Sequence, residues 1–166
     1  VASVPNFNMQ IKHNETGEWG TYGDNEIMEK GEYRTISTVP TGLKGYKEYT
    51  YKINNMMSGS LQFNNDVVIK INDTEEVLDS KYYTVKSNEY NTEFEVSVDI
   101  LKAIADGKLN EGDTLYTYYT ESLQYNAPFV PTYSGNRATL EYTNNEQEAT
   151  TAQTAPVEVK NYTFQV

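Results

Sequence analysis

Hydrophobic and polar residues alternate along most of this chain in short runs of period two, the spacing of strands with one buried face. Phe7, Met9 and Ile11 fall on one side of a first such run, and Lys12 falls on the other. Glu32–Val39 makes a second run, ended by Pro40, and Tyr49–Ile53 and Asp66–Ile71 follow after turn-rich links. Further strands are predicted at Tyr82–Val85, Glu93–Val98, Thr114–Thr120, Ala138–Thr143 and Val157–Val166. The segment Asn14–Lys30, with Gly17, Gly20 and Gly23, reads as a long connection around Trp19. A polar Asn/Glu/Thr/Gln loop joins the last two strands. One helix is predicted: Asp99 caps it, Ile100, Leu101, Ile104 and Ala105 give its apolar spacing, and Gly107 ends it.

Roughly nine strands with frequent turn signals are the pattern of a β-sandwich. No strand–helix rhythm points to a parallel α/β sheet. No internal repeat divides the chain, so residues 1–166 are expected to form a single domain. With neither an initiating Met nor a signal-peptide pattern, the sequence reads as a fragment of a longer protein.

Composition agrees with the pattern. Tyr contributes 15 residues, and Tyr, Thr and Val suit pleated, half-buried surfaces. The net charge of -11 repels phosphate backbones and anionic lipid, which argues against nucleic acid and membrane partners. No run is long enough to span a bilayer. The absence of cysteine excludes disulfides and thiolate metal sites.

Catalytic signatures are missing, and no cofactor or metal site is expected. His13, the only histidine, sits in a polar stretch, and Glu75-Glu76 and Asn64-Asn65-Asp66 read as solvated turns. The sequons at Asn14, Asn72 and Asn161 matter only where such sites are glycosylated. The chain does not read as a conventional enzyme.

Several stretches, in order, carry a resemblance. They are Val39-Pro40, Gly45–Tyr51, Met57-Ser58, Leu61 with Phe63–Val67, Gly135-Asn136, Leu140–Asn145, Val159 and Tyr162–Gln165. Together they resemble the isopeptide-forming domain found second in many Gram-positive backbone pilins, a collagen-adhesin-type variant of the immunoglobulin fold. The resemblance implies an all-β, immunoglobulin-like sandwich with one short helix. It also implies an extracellular, cell-wall location and neighbouring pilin subunits as partners.

It further implies an autocatalytic amide between a lysine on the first strand and an asparagine near the end. The matching positions are Lys12 and Asn136, with Asn161 as a second possible partner for Lys12. Such chemistry needs a neutral amine and a protonated acid that polarises the carboxamide and relays the proton as ammonia leaves. By analogy with disulfides, closing so long a loop is worth about 4–5 kcal/mol. Here the chain departs from the family, because Asn55 stands where the acid is expected and an amide cannot shuttle the proton. Either the bond does not form, or Glu93, Glu95 or Glu121 substitutes. Two other roles are open: an adhesin module for a host surface protein or glycan, with Tyr116, Tyr118 and Tyr119 as a stacking face, and a carbohydrate-binding accessory domain.

Overall fold

The computed structural model describes residues 1–26, 30–58, 61–123 and 132–164, with backbone only for 25, 26, 132–134, 163 and 164. Its strands are β1 (Phe7–Lys12), β2 (Trp19–Gly20), β3 (Tyr22–Glu26), β4 (Lys30–Thr38), β5 (Tyr51–Met57), β6 (Leu61–Phe63) and β7 (Val68–Ile71). They continue with β8 (Tyr83–Ser87), β9 (Glu93–Val98), β10 (Thr114–Leu123), β11 (Thr132–Asn145), β12 (Thr150–Gln153) and β13 (Val157–Phe164). The one α-helix among the described residues, α1, runs Ile100–Ala105. Asp99 caps it by accepting from the Lys102 amide, and Gly107 follows with φ 74.

The strands form two sheets. One has the order β2-β1-β4-β10-β6, with β7 also paired to β10; the other is β3-β13-β11-β5-β9-β8, with β12 on β11. The predicted all-β sandwich with one short helix is the observed architecture. Period-two patterning places it: β4 and β10 alternate buried and half-buried along their length. Their inward residues Tyr33, Leu115 and Tyr119 meet Tyr51, Ile53, Phe94, Val96 and Leu140 of the other sheet in one core.

Strand directions follow from the pairings. Phe7 lies opposite Ser37, so β1 starts where β4 ends. The Tyr51 hydroxyl donates to the Thr38 carbonyl, so β5 also starts at that end. Antiparallel steps from β5 to β11 and from β11 to β13 give β13 the direction of β5. The first and last strands thus run the same way in facing sheets and pack against each other. The chain enters at one end of the sandwich and β13 leaves at the other.

Three predictions are corrected. The Asn14–Lys30 connection contains two strands, β2 paired to β1 and β3 running parallel to β13. Gly23 makes this possible rather than marking a loop: a Cβ there would lie 2.6 Å from Ile11 Cδ1, so only glycine lets β3 approach β1 this closely. The polar loop before β13 contains β12, whose largely exposed residues offer no apolar alternation. The strand predicted at Tyr49–Ile53 runs on through Asn55 to Met57. Of the strand predicted at Val157–Val166, the last two residues lie outside the described residues.

Candidate functional site: a hydrogen-bonded relay between the sheets

Polar groups gather where β10 faces β5 and β11. Glu121, Asn55 and Asn136 are 0%, 1% and 2% exposed. Parity puts them inside: Glu121 shares a face with Leu115, Thr117 and Tyr119, while Asn55 aligns with Tyr51 and Ile53. Asn55 and Asn136 are near neighbours on adjacent strands, since Asn55 opposes Ala138 and Asn136 opposes Met57.

The four side chains form a continuous relay. The Tyr119 hydroxyl donates to Asn55 Oδ1 at 2.8 Å, and Asn55 Nδ2 donates to Asn136 Oδ1 at 2.8 Å. Asn136 Nδ2 then donates to Glu121 Oε1 at 2.7 Å. Tyr119 and Glu121 belong to one sheet and the two asparagines to the other, so the relay crosses the sandwich twice. Buried polar groups linked in this way fix the relation of the elements that carry them. Beneath the relay the Tyr119 ring stacks on Tyr33 and meets Phe63 and Phe94 edge-on.

Burial pushes the Glu121 carboxyl up to about 8, with the nearby Asp66 charge adding to the effect and the Asn136 hydrogen bond opposing it. At neutral pH Glu121 is therefore mostly a neutral acid. Its Oε1 accepts from Asn136, so the proton sits on Oε2, which has no protein partner. A protonated acid beside a carboxamide is the arrangement that amide exchange requires, and of the candidate acids Glu121 alone occupies it. Glu93 and Glu95 lie on the outer side of β9, Glu93 exposed and Glu95 near Lys52 at 3.7 Å.

The amine is elsewhere. Lys12 follows Ile11 on β1, so its side chain leaves the core face, where Met9 and Ile11 are buried. Its Nζ lies 3.4 Å from Glu32, and the side chain is 34% exposed. The structure thus brings together Asn55, Asn136 and Glu121 and places Lys12 outside their group. None of the chain's lysines is buried. Asn161, the alternative partner, is 2% exposed on β13, and Gly23 lies directly opposite it.

The aromatic face is also redrawn. Tyr119 points inward, so it cannot stack on a ligand with Tyr116 and Tyr118. The outward group is Trp19, Tyr116 and Tyr118 around Arg34, whose guanidinium carbon lies 4.3 Å from the Trp19 ring centre. Sequence reasoning missed the roles of Tyr33 and Tyr119, although their place in the inward alternation was the signal.

No family model matches the sequence, and no curated protein does either. Solved structures do. BcpA, the major pilin subunit of Bacillus cereus, superposes with a TM-score of 0.72 at 13% identity, over 98% of this chain and 41% of that one. The full-length major pilin SpaD from Corynebacterium diphtheriae gives 0.67 at 20% identity, over 95% and 34%. The pilus backbone protein RrgB of Streptococcus pneumoniae gives 0.63 at 20%, over 86% and 32%. The chain spans less than half the length of each. It shares the fold of a sandwich domain of Gram-positive major pilins.

Proposed function

We propose that this chain is a structural domain of a Gram-positive surface pilus, working as a load-bearing segment of the shaft next to other pilin domains. The observation that carries the reading is the course of the chain, which enters at one end of the sandwich and leaves at the other along parallel first and last strands. Tension applied through those strands loads the ladders of β1 with β4 and of β13 with β11 and β3 along the strands rather than peeling them one bond at a time. The likeness to major pilin domains supports the same role. The domain acts on no substrate; the relay joins its sheets without a covalent bond, because the inward β1 positions are Met9 and Ile11. Antibodies raised against this domain should label fibres on the source bacterium at regular intervals along their length. Labelling confined to fibre tips or to the wall would contradict a shaft role.

The Trp19–Arg34–Tyr116–Tyr118 group favours a second reading, an adhesin module for a host protein or glycan. Arg34 is held by Gln10 Oε1 at 2.6 Å and 2.9 Å. The outward rings and the guanidinium form an amphipathic patch of the kind that packs against sugars and side chains. Binding of host-cell glycans that is lost in Trp19→Ala would support this reading; indifference of binding to that change would remove it.

A further inference from the structure

Three buried polar atoms beside the relay have no hydrogen-bond partner in the protein: Tyr33 Oη, Glu121 Oε2 and Asn161 Oδ1. Their side chains are 1%, 0% and 2% exposed. Leaving such groups unpaired forfeits their hydration with nothing in return, so native interiors rarely do so. The inward hydroxyls of Thr35, Ser37 and Thr117 are unpaired as well. The trio differs from them in joining both sheets and in including a carboxyl.

The three groups converge. Gly31 lies directly opposite Glu121 in the ladder of β4 with β10. The Tyr33 hydroxyl lies over Gly31, 3.1 Å from where a Cβ would stand. It therefore sits beside Glu121 and within close reach of the Asn161 side chain, although no hydrogen bond of regular geometry joins the two. Asn161 Oδ1 in turn is 3.5 Å from the Cβ position of Gly23, against which Ile11 packs. Ile11 is the ladder partner of Tyr33 and closes the remaining side with hydrocarbon. Gly31 thus lets the Tyr33 ring and hydroxyl come close to β10, and Gly23 does the same for Ile11 beside Asn161.

The chemistry of the trio selects the guest. With Oε1 accepting from Asn136, the neutral carboxyl offers a donor at Oε2. Asn161 Oδ1 is an acceptor, and the Tyr33 hydroxyl can be either. A guest must therefore accept from one side and donate to the other, and it must be small and uncharged. We propose that Tyr33 Oη, Glu121 Oε2 and Asn161 Oδ1 together hold one buried water molecule that ties the last strand, β13, to the opposite sheet. Three partners is the usual number for a buried water. The water extends the relay to the strand by which the chain leaves the domain, and this assignment stands whether or not the protein is a pilin.

The test is a crystal structure of the chain at a resolution that resolves ordered water, beside one of Tyr33→Phe. A single peak within hydrogen-bonding distance of all three atoms in the unmodified chain, lost or displaced in Tyr33→Phe, is the expected result. The proposal is overturned if the three groups bond directly to one another with no peak between them, or if the peak is unchanged in Tyr33→Phe. Should the variant not fold, Asn161→Asp takes its place: water kept on Tyr33 and Glu121 but released by residue 161 overturns the cross-sheet tie.

Discussion

Glu121 and Asn136 meet across the space between the two sheets, the asparagine Nδ2 donating to the carboxyl Oε1 at 2.7 Å. This contact joins β10 of one sheet to β11 of the other, and it opposes the protonation that burial imposes on the acid. Much of the domain's expected behaviour follows from it.

Stability should depend on pH through Glu121. Its carboxyl titrates near 8 in the fold against 4.5 when free, so the unfolded chain gives up this proton first. Because the unfolded state binds fewer protons between these values, this group's effect on stability is most favourable below pH 4.5, declines up to pH 8 and then levels. Glu121→Gln keeps an oxygen for Asn136 without the ionisation, and should be more stable than the parent by about 3 kcal/mol at pH 7. Denaturant unfolding of both proteins at pH 4, 7 and 9 measures this, with the gap widening as pH rises.

Truncating the relay should cost more than its hydrogen bonds are worth, because partners remain buried. Asn136→Ala strands Glu121 Oε1 and Asn55 Nδ2, with an expected loss of about 2–4 kcal/mol. Tyr119→Phe strands only Asn55 Oδ1 and should cost about 1–2 kcal/mol. Both changes act through Asn55, so the double variant should depart from the sum of the singles by more than about 0.5 kcal/mol. Equilibrium unfolding of the four proteins closes that cycle.

Gly23→Ala should destabilise by about 1–3 kcal/mol, since its new methyl would meet Ile11 Cδ1 at 2.6 Å. Ile11→Val removes that Cδ1 and alone should cost about 0.5–1.5 kcal/mol. The double variant should lose less than the two added together. Thermal melts of the three variants would show it, and simple additivity would mean that β3 shifts away from β1 instead.

Asn55→Asp puts an acid at the position where the resembling family has one, yet should leave the intact mass free of any ammonia loss. The chemistry lacks a nucleophile rather than an acid: Lys12 lies outside with Glu32, and no lysine is buried. Mass spectrometry of the denatured variant decides this.

Much of the sandwich was legible in the sequence because period-two alternation reports burial directly. It placed β4, β9 and β10, and the Asp99 and Gly107 signals bounded α1. Strands without that alternation, such as β2 and β12, could not be seen, and Gly23 looked like a turn because its reason is a contact distant in sequence. At the site, alternation and resemblance disagreed over Lys12. The alternation of Phe7, Met9 and Ile11 already set Lys12 on the other face, and the structure follows it. Glu121 stood undistinguished among three candidate acids, although its shared parity with Leu115 and Tyr119 is a sequence signal that separates it from them. Tyr33 was harder to read, because its role depends on Gly31, Glu121 and Asn161 coming together from three separate strands.

On the reading proposed above, hydrogen bonds and not a covalent amide join the two sheets of this domain. The intact mass of the denatured, unmodified chain tests it most directly. The expected result is the full mass given by the sequence. A mass short by one ammonia, with a digest peptide linking a lysine to Asn136 or Asn161, would contradict it.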